Sequence, residues 1–505
     1  MRVYSGVPFA LNQSSPMLLR QITDDRLAQY AYLIGCQRTR EAILFDPERD
    51  IDRYAAIAAR HGLQIVAVAE THIHADFLSG AREATERWGA RVFVSAEGGP
   101  DWQSSWVKPY AHTLLRHNDT FTIGGIEFRA LHTPGHTPEH IAYLVTDRGA
   151  GASDPIGLIS GDFVFVGDLG RPDLLETAAG HSGTALDGAR ALWKSARAFC
   201  ELGDDLQVWP GHGAGSACGK ALGAVPQSTV GYERRTSHIL QLVTDEQAFI
   251  ADILGGQPEP PLYFARMKMA NRDGVPVLGA LPQPMRVDAD SVAAHAADWE
   301  RPGTVVIDTR PWPAFRDGHL PGAIFAPLGS MFPMVVGSYA KPDERVVLVC
   351  DDALRDELIR DLVRIGYDSI IATLSPAALA GGAKLDRTPE VSVTEASKQL
   401  GEAFVLDVRS LSEAAKGAIE GSTQVAYTRL ATQLQRIPRG RRVLVHCAHG
   451  GRSAAATSML RRIGVDAVNV AGGFEAWKRE GLPTRIPSEV GATKTGGCCG
   501  GSCAS

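Results

Sequence analysis

The stretch Thr71-His72-Ile73-His74-Ala75-Asp76-Phe77 follows the apolar, β-branched run QIVAVAE (64–70). Two imidazoles at i and i+2, and a carboxylate two residues further on, stand at the end of a strand-like segment. Loops at strand ends are where a rigid scaffold presents chemistry, and these side chains can converge on one point. Working outward, HTPGHTPEH (132–140) adds His136 after a Pro-Gly turn. SGDFVFVGD (160–168) adds Asp162 at the end of an apolar run, and WPGHGAGSACG (209–219) adds His212. Imidazole with carboxylate suits zinc or iron, and the ligand motifs do not point to a thiolate site. Cys36, Cys200 and Cys218 read as small buried hydrophobes.

Around these motifs, short strand-like runs alternate with helical patterns over the first ~240 residues, as in AILFDP (42–47), FLSGAREATERWG (77–89) and ARVFVSA (90–96). This is an α/β texture with two sheets or one large one. The chain of 505 residues is long enough for about three domains. Its formal net charge of −6 disfavours a surface built for nucleic acid or anionic membrane. No run approaches the roughly 20 apolar residues of a membrane span. The start, MRVYSGVPFALNQ, lacks the pattern of a secretion signal. Eight cysteines are too sparse for a disulfide scaffold, so a reducing cytoplasm is the expected compartment.

From ~250 the texture changes. GGQPEPPLYF (255–264) and GVPVLGALPQP (274–284) read as linkers. After them a module repeats. VVIDTR (305–310) returns as FVLDVR (404–409), VVLVC (346–350) as VLVHC (443–447), and RIGYDSI (364–370) as RIGVDAV (462–468). Cys350 and Cys447, like Arg355 and Arg452, lie 97 residues apart. Steady offsets mean two copies of one ~100-residue doubly wound α/β module. The expected limits are 1–250, a linker over 251–284, modules over 285–386 and 387–487, and a flexible tail over 488–505 carrying Cys498, Cys499 and Cys503.

In the second copy, VLVHCAHGGRS (443–453) is a strand, a loop from Cys447 to Arg452, and a helix start. Backbone N–H groups at a helix N-terminus favour an anion and a thiolate. Gly450 and Gly451 let the loop fold tightly, and Arg452 adds permanent charge. Cys447 is therefore the expected nucleophile for sulfane sulfur. In the first copy the loop reads Cys350-Asp351-Asp352-Ala353-Leu354-Arg355-Asp356. Its carboxylates would raise the thiol pKa and repel sulfur oxyanions. This copy reads as catalytically silent, a spacer or docking module.

The order His-x-His-x-Asp, Pro-Gly-His, Gly-Asp, Pro-Gly-His resembles the metallo-β-lactamase fold, an αββα sandwich with metal at one edge of its sheets. The repeated module, with GHLPGA (318–323), DVR (407–409) and AGGFEAW (471–477), resembles the rhodanese family. GAIEGS (417–422) departs from that family's usual Gly-His-x-Pro-Gly-Ala turn. Dinuclear zinc hydrolases of the first fold read His-x-His-x-Asp-His, and Phe77 occupies the last place. A phenyl ring cannot ligate, which speaks against paired zinc without by itself selecting iron.

The whole arrangement resembles persulfide dioxygenase–rhodanese fusions of bacterial sulfide detoxification. That resemblance implies one Fe(II) per chain at His72, His136 and Asp162. His74, Asp76 and His212 then orient ligands and solvent or line the pocket. GDLGRPDLL (167–175) resembles the dioxygenase segment after the carboxylate ligand, with Arg171 either paired to Asp173 or touching substrate. The implied chemistry oxidises a low-molecular-weight persulfide, such as glutathione persulfide, with O2 to sulfite and thiol. Cys447, with Arg452, Gly450 and Gly451, then forms or uses thiosulfate. No nucleic-acid or membrane partner is expected, and a homo-oligomer is left open. The alternative is a glyoxalase II-type zinc thioester hydrolase fused to a sulfurtransferase.

Overall fold

The computed structural model describes residues 17–177 and 183–486. The tail cysteines lie outside the described residues. Strands β1 (Met17–Asp24), β2 (Gln29–Cys36), β3 (Glu41–Phe45), β4 (Gln64–Ala69), β5 (Arg91–Ser95) and β6 (His112–Leu115) form one sheet in chain order. The first three are antiparallel; from β3 onward neighbours run parallel. A parallel strand is covered on both faces and reads as a continuous apolar run, which is the texture of β4.

A second six-stranded sheet contains β7 (Thr120–Ile123), β8 (Ile126–His132), β9 (Ile141–Asp147), β10 (Gly157–Gly161), β11 (Gln207–Pro210) and β12 (Ser228–Thr229). Phe45, Phe128, Tyr143, Ile159 and Trp209 fill the layer between the sheets. Helices Asp52–Arg60 and Ala81–Trp88 cover the outer face of the first sheet, and Thr184–Phe199 and Glu246–Leu254 cover that of the second. This is the expected αββα sandwich.

The two repeats have matching five-stranded parallel sheets. The first has β13 (Met285–Val287), β14 (Thr304–Asp308), β15 (Ile324–Phe325), β16 (Arg345–Val349) and β17 (Ile370–Leu374), in the order β13-β17-β16-β14-β15. The second has β18 (Glu390–Val391), β19 (Phe404–Asp407), β21 (Thr423–Gln424), β22 (Val443–His446) and β23 (Ala467–Val470), in the order β18-β23-β22-β19-β21. The repeated Asp-x-Arg makes the same side-chain fork in each copy, Asp308 with Arg310 at 2.7 Å and Asp407 with Arg409 at 2.6 Å. At the departing GAIEGS turn, β20 (Ala418–Ile419) pairs antiparallel with β24 (Thr484–Arg485). In the first copy His319 instead bonds Thr388 at 2.9 Å.

The stretch 251–284 holds a helix, Tyr263–Asp273, with Tyr263, Phe264, Met267, Lys268 and Asn271 buried. One apolar core runs from Phe77 and Leu78 through Tyr263, Phe264 and Met267 into both repeats. No helix among the described residues is long and apolar enough to cross a membrane.

Candidate active sites

Asp46, just after β3, adopts φ +50°. This unusual backbone aims its carboxylate at Thr71, whose N–H and hydroxyl donate to it at 2.7 and 2.9 Å. The Thr71 hydroxyl proton is thereby used, so His72 Nδ1–H donates to Thr71 Oγ1 at 2.9 Å. His136 Nδ1–H donates to the Arg171 carbonyl at 3.0 Å. Both rings therefore turn an Nε2 lone pair toward Asp162 Oδ2, at 3.9 Å from His72 and 3.5 Å from His136. His140 Nε2 accepts from the Asp162 N–H at 3.1 Å and fixes its backbone. Gly161, at φ +50°, brings the chain so close that an added Cβ would lie 2.5 Å from Thr71 Oγ1.

Burial holds His72 and His136 well below the usual imidazole range, so both rings are neutral. Burial pushes Asp162 up to about 6, against the pull of His212. Both Asp162 oxygens are buried without a hydrogen-bond partner. Lone pairs facing a buried carboxylate repel it unless a cation lies between them. The ligand atoms of His72, His136 and Asp162 lie within 4.8 Å of one another. The donor set fits a metal with one anionic and two neutral ligands, and each histidine carries the outer hydrogen bond that ligating imidazoles need.

Two further groups flank this triad. His74 Nε2 meets Asp46 Oδ1 at 3.1 Å and Glu70 Oε2 at 3.0 Å. Burial opposes its charge, but the two carboxylates win and hold the His74 pKa well above normal. On the other side, His212 Nδ1–H donates to the Ala28 carbonyl at 3.1 Å and Nε2 faces Asp76 Oδ2 at 3.2 Å. Cys218 completes that group, with its ligand atoms within 4.8 Å and both Asp76 oxygens lacking a hydrogen bond. Cys218, expected as a small buried hydrophobe, is buried, and its sulfur lies among the site's ligand-type atoms. Phe77 turns away into the core, with its ring 4.4 Å from that of His74.

Arg171 is buried and forks onto Asp173 at 2.6 and 2.8 Å, while its third nitrogen donates to the carbonyls of Ala217 and Pro258. Of the two roles open to it, the contacts are those of a brace. Beside the triad lies a cavity of about 720 Å³ lined by Ile73, Trp102, Gly135, Pro138, Lys268 and Met269, among others. Lys268 Nζ sits 4.5 Å over the Trp102 ring. Burial pulls the amine down to about 8, against Glu139.

In the second repeat, Cys447 follows β22 and its Sγ accepts from the Gly450 N–H at 3.1 Å and the Ser453 hydroxyl at 3.5 Å. Gly450 has φ +107°, which opens the loop onto the helix Gly451–Arg462. Arg452 does not stand free over the sulfur. It forks onto Glu413 at 2.6 and 2.7 Å. Burial raises the Glu413 carboxyl, but Arg452 prevails and holds it at about 2. Glu413 is placed by a capping box with Ser410 at its helix start. In the first repeat, burial and then Asp352 push the Cys350 thiol up to about 12.

Residues 24–212 match the model of the metallo-beta-lactamase superfamily, and residues 290–375 and 392–480 match that of the rhodanese-like domain. The crystal structure of a metallo-beta-lactamase from Staphylococcus aureus subsp. aureus COL is 39% identical, covers 72% of this chain and 99% of that one, and superposes with a TM-score of 0.63. The chain belongs to the metallo-beta-lactamase superfamily. Its metallo-beta-lactamase domain is followed by two rhodanese-like domains.

Among curated relatives, the mitochondrial persulfide dioxygenase ETHE1 of Bos taurus is 27% identical over 167 residues, 33% of this chain and 59% of that one. The hydroxyacylglutathione hydrolase of Rhodopseudomonas palustris (strain BisB18) is 26% identical over 226 residues, 45% and 78% respectively. The chain spans about half the length of the first curated relatives it matches. Against this family background, Asp46, Glu70, His140, Cys218, Lys268 and Glu413 are the site residues the motifs did not reveal. Asp46, Glu70, His140 and Cys218 lie inside the stretches that carry the motifs, but their spacing from the histidines gave no cue to their roles.

Proposed function

We propose that the metallo-beta-lactamase domain oxidises the sulfane sulfur of a low-molecular-weight persulfide with O2 to sulfite, at one iron per chain, and that Cys447 handles sulfane sulfur. The observation that carries this reading is the triad of His72, His136 and Asp162, with two neutral imidazoles and one carboxylate without a hydrogen-bond partner, while Phe77 packs into the core instead of offering a further ligand. A ferrous ion held by those three would activate dioxygen and leave faces open to a sulfur anion.

The chain's own residues do the rest. The apolar walls of the 720 Å³ cavity shelter a thiol carrier from water, and the Lys268 cation faces the anionic end of its persulfide. Glutathione is the carrier that the resemblance implies, and coenzyme A also fits the chemistry. Arg171 and Asp173 keep the carbonyl that orients His136 in place. At Cys447 the Gly450 N–H and Ser453 O–H stabilise negative charge on Sγ. The thiolate takes the outer sulfur of a donor and passes it to sulfite, giving thiosulfate. The reading places these reactions in a reducing cytoplasm.

Asp76, His212 and Cys218 support a second reading, in which a further ion makes the site a zinc thioester hydrolase. One experiment separates them. In anaerobically iron-loaded protein, glutathione persulfide should drive oxygen uptake in step with its loss. Baseline uptake, with hydrolysis of a glutathione thioester by zinc-loaded protein, would overturn the dioxygenase.

A further inference from the structure

The helix Gly451–Arg462 begins at the Cys447 loop, and every residue from Ser453 to Leu460 in it is buried. A helix that covers one face of its own sheet keeps an outer side in water. Here that side meets the first rhodanese-like domain. Ala454, Ala455 and Ala456 share one core with Ile324 and Phe325 of β15, the edge strand of the first copy's sheet. The small side chains let that edge come close. The Phe325 N–H donates to Ser458 Oγ at 3.0 Å, and the Ser458 hydroxyl donates to the Ala455 carbonyl at 2.7 Å.

The far end of the helix is held as well. Arg462 donates to the Thr304 carbonyl at 3.0 Å and pairs with Glu344 at 2.6 Å. Its counterpart in the repeat is Arg364, since RIGYDSI (364–370) matches RIGVDAV (462–468). Arg364 ends the helix Arg355–Arg364 and also reaches into the preceding domain, to Asp24 at 2.7 Å and Asp50 at 2.8 Å. One position of the module thus docks each loop helix onto the domain before it in the chain. A third contact involves Tyr427, which lines one cleft with Arg452. Its hydroxyl donates to Met334 Sδ of the first copy at 3.1 Å.

Cys447 Sγ takes its hydrogen bonds from the Gly450 N–H and the Ser453 hydroxyl, at the start of this helix. Hydrogen bonds weaken steeply as their geometry departs from the optimum. A helix about 18 Å long carries a tilt at one end to the donors at the other. We propose that the first rhodanese-like domain positions the Cys447 centre, acting through Ser458 and Arg462 on the helix that supplies the sulfur's hydrogen-bond donors. The inference rests on the reading of Cys447 as the sulfur nucleophile. Ser458 and Arg462 are positioning residues, and the first copy has this task whatever its own cysteine loop does.

The test uses the full chain. With Ser458→Ala and Arg462→Ala combined, iodoacetamide at pH 7 should modify Cys447 about fivefold more slowly than in the native chain, because the rate follows the thiolate. The kcat/KM for transfer of thiosulfate sulfur to cyanide should fall with it. Glu344→Ala, a change made in the other domain, should also slow Cys447, by about threefold. Glu344→Gln keeps an acceptor for Arg462 and should stay close to native. The Glu344 pair carries the test if the double variant does not fold, and thermal melting is read on every variant. Native alkylation rates in Glu344→Ala and in the folded double variant overturn the positioning role. Slowing that follows the melting temperature and persists in Glu344→Gln marks general loosening, and overturns it too. If native Cys447 is itself inert and Cys447→Ser keeps full sulfurtransferase activity, the nucleophile reading beneath it fails instead.

Discussion

Arg364, on the first rhodanese-like domain, reaches the Asp24 carboxylate of the metallo-beta-lactamase domain at 2.7 Å while its other nitrogens hold Asp50 at 2.8 and 3.0 Å. The guanidinium is 5% exposed, and Glu48 stands 3.3 Å away. The copy whose loop reads Cys350-Asp351-Asp352 thus grips the metallo-beta-lactamase domain through this cluster. Removing one partner from such a cluster leaves buried carboxylates uncompensated, at a cost of about 3–5 kcal/mol. Arg364→Ala should lower the first thermal transition and expose the 274–284 segment to limited proteolysis. An unchanged melting curve would show that the cluster does not hold the domains together.

The same cluster sets a pH dependence. Burial pushes Asp361 up to about 7, despite Arg364 and Arg26 nearby. A group whose folded pKa is raised adds stability that is fully present below its unfolded value, near 3.8, and is lost as pH rises through about 7. Asp24 and Asp50 are held low; burial opposes their charge but Arg364 outweighs it, so they titrate below this window. The melting temperature should fall between about pH 5 and 7.5, and Asp361→Asn should flatten that slope. The same slope in the variant would assign it elsewhere.

At the triad, stability and metal binding should oppose each other. The Asp162 carboxylate is buried with no hydrogen-bond partner, an arrangement that costs the metal-free protein free energy. Asp162→Asn should raise the melting temperature of metal-free protein by a few degrees. It should also cut iron affinity by at least about tenfold, since the anionic ligand is gone. Metal analysis after gel filtration reads one effect and calorimetry the other. A variant that keeps its metal removes Asp162 from the ligand set.

The two cysteine loops should respond oppositely to alkylation. With its thiol pushed up to about 12, only about one Cys350 in 10,000 is thiolate at pH 8. Cys447 has a helix N-terminus, the Gly450 N–H and the Ser453 hydroxyl around its sulfur. Iodoacetamide at pH 8 should mark Cys447 and spare Cys350, as read by peptide mapping. Cys447→Ser should abolish thiosulfate sulfurtransferase activity while Cys350→Ser leaves it intact. Comparable losses in both would make the first copy a second catalytic centre.

What the sequence made legible was local. His72, His136, Asp162 and His212 each follow an apolar run within a short motif, so pattern alone collected them. The repeat was legible because Cys350 and Cys447 keep a constant offset, and the sheets match strand for strand. Residues that act from a distance were hidden. Asp46 fixes Thr71 from 25 residues away, and Asn271 reaches the His74 carbonyl from 197. The buried face of the helix Tyr263–Asp273 carries the polar Lys268 and Asn271 between its apolar residues, so it lacks the unbroken apolar stripe that marks a surface helix, and its Pro- and Gly-rich flanks read as linker. Glu413 is a capping residue by pattern, and only the fold reveals that it also holds Arg452.

Asn271 offers the sharpest test of that hidden helix. Its amide donates to the carbonyls of His74 at 2.8 Å and Phe77 at 2.7 Å, and its oxygen accepts from the Ser79 N–H at 2.9 Å. It therefore clamps both ends of the segment that carries His74, Asp76 and Phe77. Asn271→Ala removes three buried hydrogen bonds and should destabilise by about 3 kcal/mol. Because the loop also carries the backbone of His72, metal affinity should fall about 10- to 100-fold, as for other outer-shell partners. Asn271→Asp separates the two effects. It keeps the acceptor for Ser79 and loses both donors, so it should reproduce the loss of metal. Full metal content in Asn271→Asp would show that this clamp serves stability alone.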